Sequence, residues 1–75
     1  MERYANRGGD SGVTAFEKDA DSITVQFKDG SLYLYNGMRP GFQIVDRMKT
    51  LALSGQGLNS YISTTVKKNF FKKLR

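Results

Sequence analysis

The chain has 75 residues, no cysteine, no histidine and a formal net charge of +5, so it holds one small core with no disulfide to reinforce it. Two side chains central to acid–base and nucleophilic catalysis are missing, and no stretch approaches the ~18 consecutive apolar residues of a membrane span; the composition points away from an enzyme and from an integral membrane protein. The charge is unevenly laid down: residues 1–46 carry five Lys/Arg and seven Asp/Glu, whereas residues 47–75 carry seven Lys/Arg and no carboxylate.

Residues 1–11 are polar and glycine-bearing, and read as a flexible N-terminal segment ahead of a single domain over residues 12–75. Their lack of an apolar h-region, with the absence of cysteine, points to the cytoplasm. The run "GGDSGV" from Gly8 to Val13 imitates a serine-protease nucleophile loop, but that mechanism needs a general base, normally histidine. We set the match to chance. "RGG", Arg7 to Gly9, is a single copy of a motif that binds RNA as repeats.

Residues 13–17 ("VTAFE") give a short first strand, and "KDAD" a polar turn. Asp19 and Asp21 are too few for a calcium site, and no metal or cofactor is expected. Residues 22–27 alternate cleanly, with Ile23, Val25 and Phe27 on one face and Ser22, Thr24 and Gln26 on the other. Asp29 and Gly30 signal a hairpin, and residues 31–35 return as a third strand.

Two registers are open at this hairpin. A two-residue turn at Asp29 and Gly30 sets Val25 opposite Leu34, buries Leu32 and Leu34, and leaves Tyr33 and Tyr35 outward as a stacking platform. A three-residue loop of Lys28, Asp29 and Gly30 sets Val25 opposite Tyr33 and turns both tyrosines into the core, where each hydroxyl needs a partner.

Pro40 suits the first turn of a helix in which Ile44, Val45, Met48, Leu51 and Ala52 form an apolar stripe about 120° wide. Gly55 and Gly57 end it. Leu58, Ile62, Val66, Phe70 and Leu74 then recur every four residues, a stripe drifting by about 40° per step on an α-helix. That second helix either runs to residue 74 or stops near Lys68 and leaves residues 69–75 as a mobile basic tail. The sum is an α+β fold: a three-stranded antiparallel β-meander packed on one face by two α-helices. Its open edges allow a homodimer.

The strongest functional lead is "VKKNFFKKLR". On a helix, Val66, Phe70 and Leu74 dock on the sheet while the basic residues project. Lys67, Lys68, Lys72, Lys73 and Arg75 then contact phosphates without reading sequence, Phe71 stacks, and Arg47 and Lys49 extend the patch. The same segment could lie on anionic lipid, which ranks lower because its polar face is broad, or could simply be a solvated face.

"FKDGSLYLYN", followed by an amphipathic helix and "GLNSYI", resembles the KTSC domain. This is the lysyl-tRNA synthetase C-terminal domain family, which also occurs as a free-standing small bacterial or phage protein. The residues that carry the resemblance are Val25, Phe27, Gly30, Tyr33 and Tyr35, with Phe16 where the family usually has tyrosine, and Gly55, Asn59 and Ile62 downstream. The resemblance implies inward tyrosines, since the residue between them is often polar in the family. It also implies RNA binding, suggested by the attachment to a tRNA synthetase. The expectation is a non-enzymatic nucleic-acid-binding module, RNA ahead of DNA, with no small-molecule substrate. The alternative class is a protein-interaction or structural adaptor.

Overall fold

The three strands expected from alternation and turn chemistry form the centre of a larger sheet. The computed structural model describes residues 1–7, 9 and 12–75. The "GGDSGV" match and part of the expected N-terminal segment fall on Gly8, Asp10 and Ser11, outside the described residues. The elements are β1 (Glu2–Arg3), β2 (Val13–Lys18), β3 (Ser22–Phe27), β4 (Leu32–Asn36), α1 (Phe42–Ser54), α2 (Leu58–Tyr61), a π-helical turn (Ile62–Val66) and β5 (Lys72–Lys73). The sheet is antiparallel in the order β1-β2-β3-β4-β5. The α+β class holds, but the meander has five strands rather than three, because a two-residue strand lies along each edge.

The β3–β4 hairpin takes the three-residue loop. Ile23 stands opposite Tyr35 and Val25 opposite Tyr33. The Phe27 amide donates to the Ser31 carbonyl at 3.0 Å, and the Gly30 amide to the Phe27 carbonyl at 2.9 Å. Gly30 sits at φ +87°, a conformation open to glycine at little cost. Asp29 locks the loop by accepting from the Ser31 amide at 3.0 Å and the Ser31 hydroxyl at 2.6 Å. Those two bonds, the hydroxyl's first, hold its carboxyl below the ordinary value. The tyrosines therefore share the inner face with Ile23 and Val25.

β2 reads poorly in sequence because it contains a bulge. Val13 pairs with Phe27 and Ala15 with Gln26, so Thr14 is an extra residue between them. Val13 and Phe16, an odd number of positions apart, both reach the core.

The first residues are built into the fold rather than leading into it. Glu2 and Arg3 pair with Phe16 and Ala15. Tyr4 is buried, and its hydroxyl accepts from the Leu58 amide at 3.2 Å, satisfying one of the donors left free at the start of α2. Arg7 is tied to the end of α1, its amide donating to the Gly55 carbonyl at 2.6 Å and its Nε to the Ser54 carbonyl at 2.9 Å.

α1 presents the expected stripe: Val45, Met48 and Ala52 are buried, and Ile44 and Leu51 are half-buried. Pro40 does not open the helix. It bridges to Asn36, four residues upstream, and Gly41 is the N-cap. Gly55 closes α1 in the left-handed conformation at φ 77°.

Of the two expected ends of the second helix, the structure has the one near Lys68, not the one at residue 74. After α2 the chain widens into the π turn, closed by the Lys67 amide donating to the Ile62 carbonyl at 2.5 Å. A π turn takes more residues than an α turn, so the widening corrects the drift of the four-residue repeat. Leu58, Ile62 and Val66 all reach the core. Lys67 then adopts φ 53°, ψ −124°, and the Asn69 amide donates to the Val66 carbonyl at 3.0 Å. That is the first central position of a type II′ turn. The chain reverses, and β5 pairs with β4, Tyr33 opposite Lys73 and Leu34 opposite Lys72. Among the described residues, no helix is long and apolar enough to cross a membrane.

Candidate functional site

One end of the inner sheet face is left partly uncovered. α1 is drawn toward the β2–β3 turn, where Lys49 Nζ donates to the carbonyls of Asp19 at 2.6 Å and Ala20 at 3.1 Å. The inner-face residues nearest that turn, Ile23 and Tyr35, are fully buried. At the hairpin end, Phe27 and Tyr33 are only half-buried and are met by Phe70 from the segment after the π turn. Tyr33 lies edge-on to both neighbours, with ring centroids 5.5 Å from Phe27 and 4.8 Å from Phe70.

These rings form the floor of an open groove of about 650 Å³. Lys28 and Asp29 stand on its hairpin side, and Lys67 and Lys68 on the opposite wall. A fourth cation, Lys73, places its Nζ 5.6 Å from the Tyr33 ring centroid. Among the described residues, four lysines thus surround an aromatic floor with one carboxylate, Asp29, at its rim. Tyr35 also lines the groove, and burial pushes its phenol up to about 12, with the nearby Tyr33 adding to the shift.

The structure divides the expected basic residues. Lys67, Lys68 and Lys73 meet at the groove. Lys72 pairs with Leu34 and so lies on the opposite sheet face. Arg75 is exposed, its carbonyl accepting from the Leu32 amide at 3.1 Å. Phe71 is exposed as expected, on a strand edge rather than a helix. Leu74 does not dock: it is 47% exposed. Arg47 is exposed on α1 and does not line the groove, while Lys49 is spent on the turn carbonyls. The basic C-terminal helix of the sequence reading is therefore replaced by a turn and an edge strand, because Lys67 reverses the chain where a helix would have continued.

Of the residues that carry the family resemblance, Phe27, Tyr33 and Tyr35 line the groove and Gly30 shapes the hairpin beside it. Asn59 packs against Gly12, where an added Cβ would stand 3.3 Å from the Asn59 Oδ1. Sequence reasoning missed Lys28 as a member of the site. The signal was present in the three-residue loop, which sets Lys28 beside the inward-facing Phe27.

Lys67 carries backbone strain at this wall, since a side chain at positive φ with strongly negative ψ is a glycine conformation. Lys67→Gly is expected to raise stability by about 1 kcal/mol, strain relief of ~1–3 kcal/mol exceeding the entropy cost of glycine. Lys67→Ala keeps the strain while removing the same charge. Urea titration of both variants checks this, and equal stability of the two would count against strain at this position. No protein-family model, curated protein or solved structure matches the chain.

Proposed function

We propose that this chain is a non-enzymatic nucleic-acid-binding module, favouring RNA over DNA, that contacts phosphates through the lysines around the aromatic groove. The observation that carries the reading is the convergence of Lys28, Lys67, Lys68 and Lys73 on one concavity where Asp29 is the only carboxylate among the described residues. Lysine is a point charge suited to phosphate oxygens, and contacts of this kind bind polyanions without reading sequence. The KTSC resemblance supports the same reading through that family's attachment to a tRNA synthetase. A homodimer joined at sheet edges has less support. Both edge strands are two residues long and bear exposed charged side chains, a pattern that discourages strand addition.

Fluorescence anisotropy with labelled RNA and DNA across a salt series tests the proposal. Affinity should fall log-linearly with salt, and changing all four groove lysines to alanine should remove about 0.7 of slope per lost single-strand phosphate contact, or roughly 2–3 in total. Lys72→Ala, on the opposite face, should change affinity far less. Absence of binding at low salt, or binding indifferent to the fourfold change, would falsify the reading.

A further inference from the structure

We infer that the groove takes one unpaired nucleobase against Phe27, Tyr33 and Phe70 while Lys67 and Lys68 hold its flanking phosphates, so that the module selects single strands over duplex. This rests on the polyanion reading above and adds a base-binding step to it. The charge distribution orients the strand. Asp29, fixed by its bonds to Ser31, offsets the charge of Lys28 on the hairpin side, whereas Lys67 and Lys68 have no carboxylate beside them among the described groove residues. Phosphates are thereby directed to the Lys67–Lys68 wall, and the base is left to the apolar floor.

The volume of about 650 Å³ lies within the range of sites that enclose small ligands, and its walls come from separate parts of the chain. In a duplex both faces of each base are already stacked. Duplex phosphates reach the rim lysines, but its bases reach the floor only after unpairing, which costs free energy. A single strand reaches rim and floor together.

Lys73 stands above Tyr33 in place of such a base. Stacking a base on an aromatic ring is worth about 5- to 150-fold in affinity, whereas an exposed cation–π contact is worth about 2- to 5-fold. A base therefore displaces Lys73 from the ring, and the freed ammonium becomes a further phosphate contact. The strained turn at Lys67 fits the same purpose, because it places two lysines consecutively on the wall beside Phe70.

The test compares three labelled probes of equal length at one salt concentration: an octauridylate, an eight-unit abasic ribose-phosphate strand, and a duplex of the octauridylate with its complement. The wild-type protein should bind the octauridylate at least about 5-fold tighter than the abasic strand, with the duplex no tighter than the abasic strand. Phe70→Leu keeps apolar volume but removes the ring face, and should erase most of that difference while leaving the salt slope unchanged. Equal affinity for octauridylate and abasic strand, with a normal salt slope, overturns the base inference and leaves the polyanion reading standing. Tighter binding to the duplex than to the octauridylate overturns it too. No binding of any probe at low salt removes both. Should Phe70→Leu prove unfolded by circular dichroism, the wild-type comparison of octauridylate with abasic strand decides alone.

Discussion

Tyr35→Ala is expected to destabilise the fold by about 3–5 kcal/mol, the usual range for truncating a buried aromatic ring. A chain of this length has a total stability of roughly 4–11 kcal/mol, so the variant should be largely or wholly unfolded at modest urea. Tyr35 is 1% exposed and stands on the inner face opposite Ile23. Tyr35→Phe keeps the ring and isolates the phenol. Burial raises the Tyr35 phenol from 10.0 to about 12. Below pH 10 both folded and unfolded forms hold the proton, so its contribution is constant. Between about pH 10 and 12 the unfolded chain releases the proton while the folded chain retains it, and stability falls. Urea titrations at stepped alkaline pH should show that loss in the wild type and a shallower one in Tyr35→Phe. Identical alkaline slopes in the two proteins would show that Tyr35 is not the group responsible.

Gly55→Ala is expected to cost about 2–4 kcal/mol, from two independent causes. Gly55 holds φ +77°, which costs a side-chain-bearing residue about 1–2 kcal/mol. The added Cβ would also lie 2.6 Å from the Ala5 Cβ, a distance that forces one backbone to move. Neither backbone yields easily, because the Arg7 amide is bonded to the Gly55 carbonyl and Arg7 Nε to Ser54. A thermal melt should drop by at least about 8 °C. Adding Ala5→Gly to Gly55→Ala should recover the steric part and leave the dihedral part. A melt within about 3 °C of wild type would show that the N-terminal segment does not press on this helix end.

The sheet centre and α1 were legible in the sequence because their signals are redundant. Ile23, Val25 and Phe27 alternate, Gly30 marks the turn, and Val45, Met48 and Ala52 repeat at helical spacing. Local apolar matching pointed to the wrong hairpin register, because that register would bury Leu32 and Leu34, and only the family resemblance favoured inward tyrosines. It is the bulge-type loop at Gly30 that turns the tyrosines inward. The edge strands were illegible for a different reason: two residues cannot show a period, and Tyr4 lies among polar neighbours. An end of the second helix near Lys68 was one of the two readings and is the one found, but the reversal that follows was hidden by Lys67, which occupies a turn position that normally announces itself with glycine. Because that turn was unseen, the lysines after it were placed on a helix. The groove they form with Phe27 and Tyr33, more than thirty positions earlier, could not be read from spacing.

The wall and floor of that groove differ in how firmly they are held. Phe27 and Tyr33 belong to strands paired on both sides within the core, whereas Phe70 and Lys73 belong to a segment tied to β4 by few backbone bonds, among them Phe71 to Leu34 at 2.8 Å and Leu74 to Leu32 at 2.7 Å. Short edge pairings of this kind open at a fraction of the free energy of global unfolding. The C-terminal segment is thus expected to exchange its amide hydrogens before the core does. A strand seated across both would act as a clip, slowing amide exchange along β4 and β5 without touching the residues that hold the rest of the molecule together.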